Sequence, residues 1–308
     1  MMRLKLMLTA TALCLAGQAA IAEQLTGTLE KIRSTGIITI GHRESSIPFS
    51  YYDKNEKVVG YGMDLCNVVA DAVKARLGLA KLEVKLVPIT PSLRIPTILS
   101  GKIDLACETM TNNLERQKVV AFSSTFFVAA NRFVSKVDAN LRTLDDLKGR
   151  TVVSTIGSTN LKQITELNAA RNLGLTIVAA KDNFEAFRML ESNRAVAHVM
   201  DDILLYGTVA NSAAPADYVV SDEALSVEPY GILLPPDDPA FKKVVDDALA
   251  AIYRNGDINK IYAKWFLNPI PPNGISLNVP MSAVVKRAFE NPTDSGDPQT
   301  YATQSAAH

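Results

Sequence analysis

The chain has 308 residues, of which 47% are hydrophobic, 21% charged and 6% aromatic, which is typical of a folded globular protein. Lysine and arginine together number 32, and so do aspartate and glutamate, which gives a formal net charge of zero. This composition excludes a disordered or fibrous chain, and the balanced charge excludes the basic surface that nucleic-acid binding requires.

The first 22 residues have the features of a secretory signal peptide. Arg3 and Lys5 form a basic start, residues 6–17 are mostly apolar, and Ala20-Ile21-Ala22 is a small-residue cleavage site. Without this segment, 30 basic and 32 acidic residues remain, a net charge of −2. No later apolar run is long enough to span a membrane. We therefore expect an exported, periplasmic protein.

Cysteine usage fits an exported protein but leaves the state of the thiols open. Cys14 is removed with the signal, so Cys66 and Cys107 remain. In an oxidising compartment the two can form a disulfide, provided that the geometry allows it. The alternative is a pair of buried free thiols that pack as small apolar groups.

The first part of the mature chain predicts alternating strands and helices. Residues 37–40 form a short β-branched run that ends at Gly41, which predicts a buried strand. Cys66, Val69, Val73 and Leu77 then recur at helical spacing. A strand over 83–87, a helix over 92–100 and a strand over 103–106 continue the alternation.

The same alternation restarts after Gly149. The pattern predicts strands over 151–154, 175–179 and 195–200, with helices over 159–170 and 183–191. Apolar, extended runs over 125–134 and 230–234 flank this second unit, which indicates two crossings and a hinge. An amphipathic helix then runs from Asp238-Pro239 to Gly256 and is expected to return to the first unit.

The predicted fold is therefore α/β, with two lobes joined by two strands. We assign residues 23–130 and 231–272 to the first lobe and residues 131–230 to the second. The length, near twice that of a common domain, agrees with this division. Residues 273–308 form an extension rich in proline, asparagine and serine, whose last dozen residues we expect to be frayed.

Signatures of catalysis and of metal or cofactor binding are scarce. The histidines of the mature chain are His42, His198 and His308, and none has the spacing of a metal ligand. The chain contains no Gly-x-Ser-x-Gly elbow, phosphate-binding glycine loop or His-Glu-x-x-His helix. The sequence therefore predicts neither a cofactor nor a metal.

Polar residues instead collect at predicted strand ends and helix starts, where α/β sheets present groups to ligands. They fall in residues 41–46, 89–94, 109–111 with Arg116, 157–159 and 200–202. Each block also has a structural explanation, since Ser158 and Thr159 can cap a helix and Thr109 and Thr111 can face solvent. Their joint order along the chain carries more information than any one of them.

That order resembles one family. Residues 41–53 and 58–61 resemble the opening of the periplasmic glutamate/aspartate-binding proteins of ABC importers, and residues 264–272 resemble a later segment of the same family. The resemblance runs collinearly from about Leu29 to about Pro272. It implies a type II periplasmic binding protein fold, with the ligand in the cleft between two lobes.

The resemblance also implies roles for residues that contact the α-carboxylate of an amino acid. Arg116 matches the family arginine that holds this group bidentately, a geometry that lysine cannot supply. Thr109 and Thr111 match the hydroxyl positions beside it. Ser158 and Thr159 match a pair at a helix start, where free amide groups and the helix dipole favour an anion.

The remaining implied contacts concern the ammonium group and the side chain of the ligand. Asp201 matches the carboxylate that receives the α-ammonium, and Arg43 and Arg94 match residues that face a side-chain carboxylate. The sequence departs from the family at Pro91, where a serine is usual, and at Asn183, where a histidine is usual. Because asparagine does not titrate, we expect acidic ligands to bind with little pH dependence between pH 6 and 8. Because its amide offers both a donor and an acceptor, we also expect glutamine and asparagine to be tolerated better than in relatives with histidine.

The leading hypothesis is a monomeric binding protein without a cofactor, which delivers glutamate or aspartate to an importer permease. An enzyme on the same fold, similar to cyclohexadienyl dehydratase, is the alternative, with Glu108 or His198 as its general acid. His198 lies in a predicted core strand, where packing is the simpler explanation. The soluble ligand-binding module of a sensor is a third hypothesis with the same pocket.

Overall fold

The computed structural model describes residues 25–302. The predicted signal peptide, residues 1–22, lies outside the described residues. In the described part of the chain, three sheets and the helices around them form two α/β lobes. Between residues 25 and 302, no helix combines the length and the apolar character that crossing a membrane requires.

The strands alternate with α-helices over residues 58–106 and 151–220. They are β1 (Ile37–His42), β2 (Ser45–Ser46), β3 (Ser50–Tyr52), β4 (Val58–Val59), β5 (Glu83–Pro88), β6 (Leu105–Ala106), β7 (Ala121–Phe122), β8 (Phe127–Lys136), β9 (Thr151–Thr155), β10 (Thr176–Ala180), β11 (Ala197–Asp201), β12 (Tyr218–Val220), β13 (Ser226–Tyr230) and β14 (Leu233–Leu234).

The α-helices of the described residues include the five that the sequence predicts and others that it does not. They are α1 (Gly27–Thr35), α2 (Tyr61–Arg76), α3 (Arg94–Leu99), α4 (Thr159–Arg171), α5 (Asn183–Glu191), α6 (Asp202–Ala210), α7 (Pro239–Asn255), α8 (Asp257–Phe266) and α9 (Ala283–Glu290). Short 3-10 turns include Arg116–Lys118 and Pro298–Tyr301.

The first lobe is built on a five-stranded sheet with the strand order β5-β1-β6-β14-β7. Strand β1 is parallel to β5 and β6, and β14 runs antiparallel to β6 and β7. The β-branched residues Ile38 and Ile40 of β1 are fully buried, as the sequence pattern predicts. The carboxyl end of β1 leads directly to Arg43.

The second lobe is built on a six-stranded sheet with the order β10-β9-β11-β8-β12, in which β13 also pairs with β8. Strand β9 is parallel to β10 and β11, and β8 is antiparallel to its neighbours. The parallel strands β9 and β11 therefore end at the same edge of the sheet, and Asp201 closes β11 there.

The chain passes between the lobes twice, once between β7 and β8 and once between β13 and β14. Phe127 at the start of β8 is opposite Tyr230 at the end of β13. The two crossings thus lie side by side, as expected for two strands that form one hinge. The aromatic rings of Phe49, Phe127 and Tyr230 meet edge to face or tilted, with centroids 5.1 to 5.9 Å apart.

A disulfide joins two parts of the first lobe. Cys66 on α2 is bonded to Cys107, which follows β6, across a sequence separation of 41 residues. Both residues are fully buried. Of the two alternatives that the sequence leaves open, the structure therefore contains the bridge. The chain-entropy estimate for a loop of this length is a stabilisation of about 4 kcal/mol.

The C-terminal extension packs on the first lobe. The ring of Phe289 on α9 stacks on Tyr253 of α7, with centroids 4.5 Å apart. Tyr301 is buried, and its hydroxyl lies 2.7 Å from Thr125 Oγ1, next to the first crossing. The expectation of a frayed end is wrong as far as residue 302, because an aromatic side chain near the end fixes the segment. Residues 303–308 lie outside the described residues.

Candidate ligand-binding cleft

A small cavity lies between the two lobes, where strands of both sheets end, which is the usual position for ligands in α/β folds. Eight of the nine predicted binding residues line it: Arg43, Arg94, Thr109, Thr111, Ser158, Thr159, Asn183 and Asp201. Pro91, Thr155, Asn160, Met200 and Leu204 complete the lining. The structure thus brings these residues together, and their contacts with a ligand stay a prediction.

Two arginines of the first lobe meet at Glu108. Arg94 Nη1 lies 2.8 Å from Glu108 Oε1, and Arg43 Nη1 lies 3.3 Å from Glu108 Oε2. All three side chains are buried. Burial raises the pKa of Glu108, but the charges of Arg94 and Arg43 outweigh burial and hold this pKa below its ordinary value. Glu108 is therefore ionised and has no proton to donate as a general acid.

Arg94 also reaches the second lobe. Its Nη1 donates to the carbonyl oxygen of Thr109 at 3.1 Å, and its Nη2 donates to that of Gly157 at 3.4 Å. Its Nε is buried and has no hydrogen-bond partner among the described residues. Because an unpaired buried donor is costly, this group is a candidate contact for an anionic ligand.

Arg116 lies at the rim of the cavity, in a 3-10 turn. Its Nη1 donates to the carbonyl oxygen of Thr111 at 2.8 Å, and its Nη2 donates to that of Gly157 at 3.3 Å. Burial and the charge of Arg94 lower the pKa of Arg116 to about 9, so the guanidinium stays protonated at neutral pH. It is the one predicted arginine that does not line the cavity wall.

The start of α4 forms one wall on the second lobe. The Ser158 hydroxyl caps the helix by accepting from the amide of Leu161 at 3.1 Å, and it donates to the carbonyl oxygen of Thr155 at 2.6 Å. Thr159 Oγ1 donates to Glu228 at 2.8 Å and lies 3.3 Å from Thr111 Oγ1 across the cleft. Ser158 is thus primarily a cap, and the helix start remains the feature that favours an anion.

Asp201 is the acidic group of the cavity wall. Asn160 Nδ2 donates to its Oδ1 at 2.7 Å, and the Tyr230 hydroxyl donates to its Oδ2. Burial, and next the negative charge of Glu228, raise the pKa of Asp201 to about 7. A cation placed beside Asp201 relieves both effects, so this wall is suited to an ammonium group.

Asn183 occupies the start of α5, where Thr155 Oγ1 donates to its Oδ1 at 2.8 Å. This bond fixes the orientation of the amide and assigns the acceptor role to its oxygen. The amide carries no charge, and neither does Pro91 on the opposite lobe. The positive charges on the cavity lining therefore come from Arg43 and Arg94.

The two lobes are in contact across the cleft, so the structure is closed. Gly157 has a φ of +79°, and a Cβ at this position would lie 2.7 Å from the backbone nitrogen and Cα of Ser92 on the first lobe. Lys162 on α4 pairs with Glu115 at the rim. The backbones of the two lobes therefore meet directly at Gly157 and Ser92.

His198 is not placed for catalysis. It lies on β11 opposite Val134, is fully buried, and has no hydrogen-bond partner for either ring nitrogen among the described residues. Burial lowers the pKa of His198 to about 3, so the ring is neutral. His198 is a packed residue, as its position in a core strand suggests, and neither candidate acid of the enzyme hypothesis is available.

Sequence reasoning missed Asn160, Glu228 and Tyr230, and it considered Glu108 only as a possible acid. Asn160 had a local signal, since it follows Ser158 and Thr159 at the helix start. Glu228 had none that linked it to the cavity, because Thr159 and Gln163, which donate to it from α4, are 69 and 65 residues away in the sequence.

Comparison with known proteins agrees with this geometry. The family model of the bacterial extracellular solute-binding proteins, family 3, matches residues 38–268. The chain is 47% identical over 290 residues to the L-glutamate/L-aspartate-binding protein of Pseudomonas aeruginosa, and the aligned region covers 94% of this chain and 96% of that protein. It is 44% identical over 267 residues to the glutamate/aspartate import solute-binding protein of Escherichia coli, which covers 87% and 88%.

Solved structures have the same fold. Holo ArgBP from T. maritima is similar with a TM-score of 0.64 and 31% identity, over 76% of this chain and 99% of that one. The predicted type II periplasmic binding protein fold is confirmed, and the relatives are named as binding proteins rather than as enzymes. The chain belongs to the bacterial extracellular solute-binding proteins of family 3.

Proposed function

We propose that this protein captures an acidic amino acid, glutamate or aspartate, in its closed cleft and delivers it to an ABC importer. The arrangement of charges around one small cavity supports this proposal. Arg116 and Asp201 suit the α-carboxylate and the α-ammonium, and a neutral amino acid needs only these two. Arg43 and Arg94 offer positive charge to a further anion.

The side-chain end of the cavity keeps positive charge even when Glu108 is included. Two guanidinium groups and one carboxylate give this cluster a net charge of +1. One ligand carboxylate balances that charge, whereas an amide leaves it unbalanced. The names of the relatives from P. aeruginosa and E. coli point to the same two ligands.

The proposal includes a movement of two lobes. Residues 23–130 with 231–272 form one lobe, residues 131–230 form the other, and residues 273–308 extend the first. A ligand stabilises the closed state because it contacts both lobes there and only one lobe in the open state. Export to the periplasm after cleavage at residue 22, and action as a monomer, complete the proposal.

Calorimetry with the twenty amino acids tests the ligand. We expect glutamate and aspartate to bind residues 23–308 with one site per chain, and mass spectrometry to recover them unchanged. Asp201→Asn is the matched variant, since it keeps the shape of the cavity wall and removes the negative charge that suits the α-ammonium of the ligand. We expect it to bind both acids more weakly. Chemical conversion of the ligand, or no binding of either acid, would contradict the proposal. Light scattering measures the molar mass and so tests whether the protein is a monomer.

A further inference from the structure

Glu108 occupies a position that the binding of an acidic ligand does not explain. Its carboxylate contacts both Arg43 and Arg94 in a fully buried cluster, at 3.3 and 2.8 Å. A site built only to hold a ligand carboxylate would leave these arginines free for the ligand. In this structure, the carboxylate of Glu108 already forms an ion pair with each of the two arginines.

The cluster contains a donor that no described residue pairs with. Arg94 is buried, and its Nε has no partner among the described residues. Both arginines also line the cavity, whereas Glu108 does not. Glu108 therefore contacts the two arginines on the side away from the cavity. The side that lines the cavity is left to the ligand.

We propose that Glu108 is a specificity-determining residue, which reduces the preference of this cleft for a side-chain carboxylate over the corresponding amide. The inference rests on the proposed function. A second negative charge in the cluster repels the ligand carboxylate, and it has much less effect on a neutral amide. The protein thus accepts glutamine and asparagine more readily than two unshared arginines would allow.

The test compares glutamate and glutamine, and aspartate and asparagine, by calorimetry on the wild-type chain and on Glu108→Gln. The substitution keeps the size of the side chain and removes its charge. We expect the ratio of acid affinity to amide affinity to rise by about tenfold or more, because screening is weak in a buried cluster. A ratio that stays unchanged or falls would overturn the inference.

Glu44→Gln is the matched control, since Glu44 is exposed beside Arg43 and solvent screens its charge. We expect this variant to keep the wild-type ratio, and an equal rise in both variants would overturn the role of Glu108.

Should Glu108→Gln fail to fold, as judged by circular dichroism, the wild-type ratio alone decides. We expect the amides to bind within about a hundredfold of the acids, and a larger difference would overturn the inference. If the wild-type chain binds none of the four amino acids, the proposed function fails, and the inference fails with it. Binding with an unchanged ratio refutes only the role of Glu108.

Discussion

Arg94 and Arg116 both donate to the carbonyl oxygen of Gly157, but their charges have different surroundings. Glu108 shares the charge of Arg94, whereas no carboxylate among the described residues lies within ion-pair distance of Arg116. We expect Arg116→Ala to weaken every amino acid by about a hundredfold or more, because it removes a charge-assisted contact to the shared α-carboxylate. Arg94→Ala should weaken glutamate more than glutamine.

Calorimetry on both variants measures these losses, and Lys118→Ala serves as the control, since Lys118 is exposed in the same 3-10 turn as Arg116. Equal losses of glutamate and glutamine in Arg94→Ala would refute the assignment of Arg94 to the side chain of the ligand.

The pKa of Asp201 changes the expected pH dependence of binding. The expectation from Asn183 alone is a constant affinity, but Asp201 has a pKa of about 7 in the closed cleft. A ligand ammonium favours ionised Asp201 and lowers this pKa, so binding below pH 7 releases a proton. Affinity should therefore fall as the pH falls, about fivefold from pH 7 to pH 6, and level off above pH 8.

Titrations with glutamate at several pH values measure this effect. Glu228→Gln should move the pH of half-maximal affinity downward, because it removes the second cause of the raised pKa. An affinity that is constant or higher at pH 6 would exclude Asp201 as the group that receives the ammonium.

His198 makes stability depend on pH. Its pKa is about 3 in the folded protein and about 6.5 when unfolded, so between these values only the unfolded chain binds a proton. Stability is therefore lost as the pH falls from 6.5 toward 3. Relative to the wild type, His198→Leu should lose about 3 kcal/mol less stability between pH 7 and pH 4. Urea unfolding at both pH values measures the difference, and equal losses would contradict the prediction.

At the residue scale, the sequence predicts which side chains meet but not how they pair. Arg43 and Arg94 lie in blocks that the sequence places at a strand end and near a helix start, and the resemblance to the family assigns both to one site. Their shared contact with Glu108 spans 65 and 14 residues along the chain, so no local pattern contains it. The pKa of Asp201 likewise depends on Glu228, which only the folded sheet brings near.

At the scale of elements, the C-terminal extension contributes to the hinge. The hydroxyl of Tyr301 bonds Thr125 at 2.7 Å and donates to the carbonyl oxygen of Ser295 at 2.9 Å. Tyr301→Phe should lower the free energy of unfolding by about 1 to 2 kcal/mol, because it leaves buried polar partners unpaired. Urea unfolding should show a lower midpoint with an unchanged slope. Tyr206→Phe, at an exposed ring, should show no shift, and an equal shift would contradict the argument.

Long periodic elements are predictable here, and short ones are not. The prediction for residues 183–191 matches α5, and the one for 159–170 matches α4 within one residue. The small sheet β2-β3-β4 was missed, because strands of two or three residues are too short to show alternation. The predicted helix over 92–100 is shorter in the structure, since the residues before Arg94 form a turn.

At the scale of the whole molecule, closure brings Gly157 against Ser92. A methyl group at residue 157 would lie 2.7 Å from the Ser92 backbone, which cannot give way as a flexible side chain could. Gly157→Ala should therefore weaken ligands by about tenfold or more by destabilising the closed state.

Gly174→Ala is the control for Gly157→Ala, because Gly174 has a similar φ of +63° with no atom near the added methyl group. Gly174→Ala has the cost of placing alanine at a positive φ, but it adds no contact between the lobes. Calorimetry measures the affinities, and small-angle scattering measures the closed fraction at saturating ligand. Equal losses of affinity in the two variants would show that backbone strain, and not the contact, is responsible.

The contact of Gly157 with Ser92 also fixes how narrow the cleft can become. Two backbones in van der Waals contact cannot approach further. The contact between Gly157 and Ser92, and not the bound ligand, therefore sets the smallest width of the cleft. A molecule one methylene shorter than the best fit cannot draw the walls closer, and water must fill the remaining gap. Glutamate and aspartate carry the same charges, so the protein can distinguish them only by their length. The main-chain contact between the lobes determines which length fits.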